Sequence, residues 1–169
     1  MVSSASLGFP RIGVRRELKK ACESYWKGEI SQADLMRTAA ELRLRHWKMQ
    51  QDAGITHIPS NDFSFYDQVL DMSCLLGCVP SRYGWSGGNV DLDTFFAMAR
   101  GNDKAPAMEM TKWFDTNYHY IVPEFAQNQT FALSSTKIFD EYAEAKKAGI
   151  ETRPVLIGPV TFLHLGKAK

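Results

Sequence analysis

The feature that most constrains the fold is an alternation of short apolar, strand-like segments with amphipathic helical segments along the 169 residues. Such alternation favours parallel βαβ units over a sheet built from hairpins, because each crossover helix covers the sheet between two parallel strands. A closed eight-stranded α/β barrel needs about 200–250 residues or more. We therefore expect an α/β fold of parallel strands and flanking helices that stops before a barrel could close.

The element boundaries follow from apolar spacing and from capping residues. Ser31 and Asp34 form a predicted capping box at the start of the second helix. The residues of that helix expected to be buried are Leu35, Ala39, Leu42, His46 and Met49. Strands are predicted at 6–10, 56–59, 113–120, 130–134 and 153–157, helices at 14–27, 31–53, 64–76, 92–100, 137–148 and after 158–159, a loop at 79–89 and a mobile stretch at 102–106.

Positive charge is concentrated at the predicted start of the first helix. The net charge of the chain is only +1, yet residues 11–20 contain Arg11, Arg15, Arg16, Lys19 and Lys20 against a single acid, Glu17. A helix N-terminus carries partial positive charge and normally favours acidic residues, so a bound anion would relieve this crowding. The alternative is a solvated, charge-rich surface helix partly neutralised by Glu17 and Glu23.

Composition narrows the classes of protein to which the chain can belong. The balanced charge is atypical of a dedicated nucleic-acid or membrane-surface binder, and no apolar run approaches the roughly 20 residues of a membrane span. No secretory signal is visible. Three cysteines are too few for a disulfide scaffold, which predicts a reducing, cytoplasmic location.

No catalytic constellation emerges from the motifs. Cys74 and Cys78 are four residues apart on a predicted helix, but a structural zinc site needs four ligands, so burial in the core is the favoured interpretation. His119, between two tyrosines, remains either a hydrogen-bonded aromatic-layer residue or an acid, base or ligand. Asp62 is expected in a turn, and Arg11 and Arg15 receive no specific role. The residues alone therefore indicate an anion-attracting face and no catalytic machinery.

Several long motifs nevertheless resemble one known family. They are LGFPRIG (7–13), RELK (16–19), IPSNDFS (58–64), YDQVLD (66–71), EMTKWFDTNYHY (109–120) and RPVLIGP (153–159). In this order they resemble the amino-terminal barrel of cobalamin-independent methionine synthase. The resemblance spans nearly the whole chain, so residues 1–169 are expected to be the N-terminal portion of that family's N-terminal (βα)8 barrel of the TIM type, truncated before closure.

The resemblance implies an activity and also implies which parts of it belong to this segment and which to a C-terminal barrel. Members of the family transfer a methyl group from 5-methyltetrahydropteroyltriglutamate, a folate with a polyglutamate tail, to homocysteine, giving methionine. Zinc held by Cys, His and Glu in the C-terminal barrel binds homocysteine, so this segment is expected to bind no zinc and to be inactive alone. The residues of this chain that match the family's tail-binding motif are Arg16, Glu17, Leu18, Lys19 and Lys112.

The expected partners follow from the same resemblance. They are the folate and homocysteine, the C-terminal barrel of the same chain, and further copies of the unclosed fragment, with neither nucleic acid nor membrane. The alternative is a non-catalytic anion- or nucleic-acid-binding module that uses the basic helix start.

Overall fold

The computed structural model describes residues 2–169. The α-helices of this range are Glu17–Trp26 (α1), Gln32–Asp52 (α2), Gln68–Leu75 (α3), Leu92–Arg100 (α4), Lys137–Lys147 (α5) and Pro159–Leu165 (α6). The strands are Ile58–Ser60 (β1), Met110–Lys112 (β2), His119–Ile121 (β3), Glu124–Phe125 (β4), Thr152–Pro154 (β5) and Lys167–Ala168 (β6). A single 3-10 turn, Ser81–Tyr83, lies in the predicted loop.

Parallel strand pairing is confirmed, but it is not the only pairing present. β1 pairs with β5 and β4 with β6, both parallel, whereas β2 and β3 form an antiparallel hairpin. The predicted strand at 113–120 is therefore mostly wrong, since residues 113–118 are the loop of this hairpin. Residues 2–169 form an α/β arrangement of helices and parallel strands without a closed barrel.

The chain divides into two compact units, the first made of the described residues up to Phe65 and of Ile138–Val155. Its core packs Trp47, Ile58, Ala145 and Ile150 together, and the Trp47 indole N–H donates to the Pro59 carbonyl at 3.0 Å. Ala5 and His57 form an isolated parallel bridge near the predicted first strand.

Helix α2 largely follows its predicted pattern. The capping box forms: the Asp34 backbone N–H donates to Ser31 Oγ at 3.2 Å, and the Ser31 N–H to Asp34 Oδ2 at 3.1 Å. The expected burial of Met49 is wrong, because its side chain is 47% exposed. Trp47 and Gln50 are buried in its place.

The second unit contains Tyr66–Lys137 and Leu156–Lys169. Its core gathers residues from α3, the hairpin and α6. Helix α4 has the predicted bounds, whereas α3 begins at Gln68 rather than at Ser64 because Asp67 supplies the N-cap. The buried members of this core cluster are Val69, Cys78, Tyr120, Val122, Phe162 and Leu165.

One strand prediction in this unit is wrong, and the stretch predicted to be mobile has local hydrogen bonds. Residues 130–134 form no strand, because the N–H groups of Ala132 and Ser134 donate to the last carbonyls of α3, those of Leu76 and Leu75. Residues 102–106 form a defined turn in which Asn102 Oδ1 accepts from the N–H groups of Lys104 and Ala105. In the part of the chain that the structure describes, no helix is both long and apolar enough to cross a bilayer.

Candidate anion-binding site

The basic segment forms a tight turn before α1 rather than the first turn of the helix. Helix α1 begins at Glu17, three residues later than predicted. Arg16, the N-cap residue, has left-handed backbone dihedrals (φ 60°, ψ 37°), and its N–H donates to the Gly13 carbonyl at 3.0 Å. A non-glycine residue rarely adopts this conformation. The turn that presents the arginines is therefore held by its surroundings.

Glu17 is the first residue of α1. Its negative charge partly compensates the positive charges at the start of this helix, as the second interpretation of the sequence expected. Its Oε2 accepts the Arg15 backbone N–H at 2.8 Å, and its Oε1 accepts from the Arg45 guanidinium at 2.9 Å. A hydrogen bond from its own backbone N–H, followed by that from Arg45, lowers the pKa of Glu17 to about 2. This carboxylate thus satisfies donors that an external anion would otherwise use.

The remaining residues of the RELK motif differ in what they can contact. Leu18 is 2% exposed and its N–H donates to the Ile12 carbonyl at 3.2 Å, so it anchors the helix and cannot offer a side chain to an anion. Lys19 is exposed and pairs with Glu23 at 3.5 Å. Arg15, Arg16 and Lys20 are exposed and form no ion pair among residues 2–169.

Lys112, the other predicted tail-binding residue, belongs to the second unit. It ends strand β2, opposite His119 in the hairpin register, and its side chain is exposed. No ion pair of Lys112 occurs within the described range. The structure thus brings Arg16, Glu17, Leu18 and Lys19 together at the start of α1, and it places Lys112 at the end of strand β2, next to the hairpin loop.

A residue that sequence reasoning missed, Asp67, anchors that hairpin. Its carboxylate is 1% exposed and accepts hydrogen bonds at 3.0 Å from three donors, the N–H groups of Leu70 and Ile121 and the hydroxyl of Tyr118. Burial raises the pKa of Asp67, although the three donors oppose that shift. An Asp three residues before an apolar helix position is an N-cap signal, and that signal could have located it.

The hairpin loop itself carries a strained aromatic residue. Phe114 has φ 48°, in the left-handed region, and is 58% exposed. The loop closes through the Trp113 N–H, which donates to the Tyr118 carbonyl at 2.7 Å. A bulky residue in this conformation is held there by the structure around it. The Tyr118 hydroxyl ties the end of this loop to Asp67.

The polar residues left open by the sequence have local partners. Asp62 Oδ2 accepts the Phe9 N–H at 2.7 Å, which joins the first loop to the residues after β1. His119 is exposed, and its Nδ1 lies 3.0 Å from the Asn117 carbonyl. His46 packs its ring on Phe9 with centroids 4.7 Å apart, and burial lowers its pKa.

The cysteines do not supply a nucleophile or a metal site. Cys22, Cys74 and Cys78 are free and buried, which confirms their predicted core positions. Burial raises the pKa of Cys22 and of Cys78 to about 11 and that of Cys74 well above its ordinary value, so none is a thiolate at neutral pH. Within the described residues, no three His, Cys, Asp or Glu side chains group as metal ligands would.

A cleft of about 630 Å³ in the second unit is a further feature that the sequence did not indicate. Its lining includes Glu124 of β4 and the residues that directly follow β4 and β6, Ala126 and Lys169. Arg82 also lines the cleft. Its guanidinium donates two hydrogen bonds of 2.6 and 2.8 Å to the Glu124 carboxylate. Arg82 is therefore not available to an anion in the way that Arg15 and Arg16 are.

The fold and the site define the chain as an α/β domain that presents exposed cations on a fixed turn. The family described as "Cobalamin-independent synthase, N-terminal domain" matches residues 3–169. The chain therefore belongs to the cobalamin-independent synthase family.

Individual relatives agree with this assignment. Proteins named 5-methyltetrahydropteroyltriglutamate–homocysteine methyltransferase are 59% identical over 169 residues in Acidithiobacillus ferrooxidans, 57% over 178 in Salinibacter ruber and 58% over 167 in Kali turgidum. These matches cover 100%, 100% and 99% of this chain. The chain spans 22–23% of the length of these relatives.

Proposed function

We propose that this chain is a segment of an enzyme that transfers a methyl group from 5-methyltetrahydropteroyltriglutamate to homocysteine, giving methionine. The support is family membership together with identities of 57–59% to methyltransferases of that name. Within that enzyme, the proposed contribution of the segment is to bind the polyglutamate tail of the folate. A cytoplasmic location belongs to the same proposal and agrees with the three free thiols.

One observation carries the tail-binding proposal: exposed cations stand on a turn whose backbone is already fixed. Arg16 and Lys19 flank the start of α1, and Arg15 is exposed beside them. Guanidinium groups bind carboxylates through a planar pair of donors, and lysine adds a point charge. A polyglutamate tail is a chain of carboxylates, so its chemistry matches this surface.

The proposal assigns different roles to the five residues predicted from the family motif. Arg16, Lys19 and Lys112 would contact carboxylates through their side chains. Leu18 would act through its buried packing, which fixes the direction of α1. Glu17 carries the wrong charge for direct contact with a carboxylate.

The fold proposal extends the observed parallel pairs. We infer that β1–β5 and β4–β6 are parts of a TIM-type (βα)8 barrel, and that residues 1–169 are the N-terminal portion of it. Zinc and homocysteine would bind in a C-terminal barrel outside this chain, where the metal would hold homocysteine as a thiolate. Among the described residues, no three His, Cys, Asp or Glu side chains are grouped as metal ligands.

Self-association is proposed for the 169-residue chain in isolation. Helix α6 exposes Val160 by 81% and Leu163 by 53%, and unpaired strand edges promote association between copies. Light scattering of the isolated chain is expected to show the mass of a dimer or a larger species. A monodisperse monomer at high concentration would overturn this part of the proposal.

Three alanine variants of the intact protein test tail binding. Arg16→Ala, Lys19→Ala and Lys112→Ala should each weaken binding of the triglutamate folate by about three- to fivefold, and less at high salt. Lys48→Ala, which removes an exposed cation of α2, is the matched control and should leave the affinity unchanged. Equal affinities in all four variants and the wild type would remove the proposal.

The alternative function, nucleic-acid binding, predicts a different experimental result. Tight binding of duplex DNA with a steep dependence on salt, together with indifference to folate, would favour it over tail binding.

A further inference from the structure

Glu17 is the acid that the family motif places among cationic residues, and its contacts all point back into the protein. Oε2 accepts the Arg15 backbone N–H at 2.8 Å, and Oε1 accepts from Arg45 of α2 at 2.9 Å. Both carboxylate oxygens are therefore engaged, one by the turn and the other by the neighbouring helix.

The Glu17 carboxylate packs directly against Gly13 of the turn. Gly13 has φ +81°, and a Cβ at that position would collide with the Glu17 carboxylate and with Leu42. Two residues later the Arg15 N–H points at the same carboxylate, and Arg16 then takes its left-handed conformation. The Glu17 carboxylate thus lies against Gly13 in the turn, while the side chains of Arg15 and Arg16 are exposed.

We propose that Glu17, pinned by Arg45, is a positioning residue that holds the Gly13–Arg16 turn in the shape that presents Arg15 and Arg16 to the folate tail. This inference rests on the proposed tail-binding function and adds Arg15 to the contacting cations. It removes Glu17 from the residues that touch the tail.

The sign of one mutational effect separates positioning from simple electrostatics. A carboxylate beside the site repels the carboxylates of the tail, so electrostatics alone predicts that Glu17→Gln binds the tail more tightly. A positioning role predicts weaker binding, because the amide offers a weaker acceptor to the Arg15 N–H and to Arg45 and releases the turn.

Glu23→Gln is the matched control. It removes the same charge from the same helix and frees Lys19 from its 3.5 Å ion pair, but it touches no part of the turn. Electrostatics and positioning both predict that this variant binds the triglutamate folate as well as the wild type or more tightly.

The experiment measures the affinities of the intact protein for monoglutamate and triglutamate folates by calorimetry. We expect Glu17→Gln to lose about three- to fivefold in triglutamate affinity with little change for the monoglutamate, and Glu23→Gln to lose nothing. A merely structural role would lower both affinities together. Triglutamate binding by Glu17→Gln at or above the wild-type affinity would overturn the inference.

A second pair of variants covers the case in which Glu17→Gln does not fold. Arg45→Gln should weaken triglutamate binding more than Lys48→Gln, which removes an equal charge from an exposed position of the same helix. Equal losses would contradict the positioning role. If the wild type itself fails to distinguish the two folates, the tail-binding proposal fails, which is a different result from the loss of this inference.

Discussion

The turn before α1 and the β2–β3 hairpin loop are both ordered by a carboxylate, but the surroundings of the two carboxylates differ. Each contains a non-glycine residue in the left-handed region, Arg16 or Phe114, and each carries a predicted tail-binding cation. Each is organised by one carboxylate that accepts backbone N–H groups. Glu17 is partly exposed and is bound by a guanidinium, whereas Asp67 is buried and accepts hydrogen bonds from the neutral donors of Leu70, Ile121 and Tyr118.

The difference shows that a carboxyl group can order a loop whether its pKa is lowered or raised by its surroundings. Hydrogen bonds and Arg45 lower the pKa of Glu17 to about 2, while burial raises the pKa of Asp67. The ionised form of Glu17 is stabilised by a nearby positive charge. The three donors of Asp67 offset only part of the free-energy cost of burying its charge.

The largest expected effect is the loss of the buried carboxylate. Asp67→Ala removes a helix cap and leaves two buried N–H groups without their acceptor, which should lower the unfolding free energy by about 3 kcal/mol. Asp91→Ala, which removes the exposed N-cap of α4, should cost only about 1 kcal/mol. Urea denaturation of both variants measures the difference, and equal losses would contradict the special role of Asp67.

The second effect tests how tightly the basic turn closes on Glu17. Gly13→Ala adds a Cβ where the Glu17 carboxylate and Leu42 already lie, at a positive φ, and should destabilise the protein by about 2 kcal/mol or more. Gly28→Ala also has a positive φ but faces open space, so it should lose only about 1 kcal/mol. Similar thermal unfolding of the two variants would mean that the turn has room to relax.

A smaller effect concerns the tie between the hairpin loop and Asp67. Tyr118→Phe removes the hydroxyl that donates to Asp67 and should cost about 1 kcal/mol. Tyr142→Phe removes an exposed tyrosine–carboxylate hydrogen bond, that to Glu151, and should cost less because water competes for it. Chemical denaturation compares them, and a greater loss in Tyr142→Phe would refute the view that burial strengthens the tie.

The pH dependence of stability should have opposite signs for the two carboxylates. Glu17, with its lowered pKa, contributes stability that is present above pH 4.5 and is lost as the pH falls toward about 2. Asp67, with its raised pKa, contributes stability that is full below its ordinary value of 3.8 and is lost as the pH rises through its folded-state pKa. Carboxyl NMR titrations should place Glu17 below and Asp67 above their ordinary values, and the reverse order would contradict the comparison.

Sequence patterns located the elements whose signals are local. The Ser31–Asp34 capping box and the bounds of α4 were predicted because the cap and the helix lie within a few residues of each other. The clustering of cations near the start of α1 is also evident from the sequence, because charged residues can be counted along the chain. The family motifs then supplied Lys112, which no local pattern distinguishes.

Features that depend on distant partners were missed. Arg45, which binds the first helical residue Glu17, lies 28 residues further along the chain. The hairpin has no Asn-Gly or Asp-Gly turn signal, and its loop is instead held by Asp67, 51 residues before Tyr118. Apolar periodicity reports which face of an element is buried but not which polar group will close a turn from elsewhere.

The central claim is that the cations on this chain bind the carboxylates of a folate tail. Calorimetric titration of the intact protein with mono-, di- and triglutamate forms of the folate tests it most directly. The account predicts that affinity rises with each added glutamate and that the gain shrinks as salt increases. Equal affinity for all three forms at low salt would contradict it.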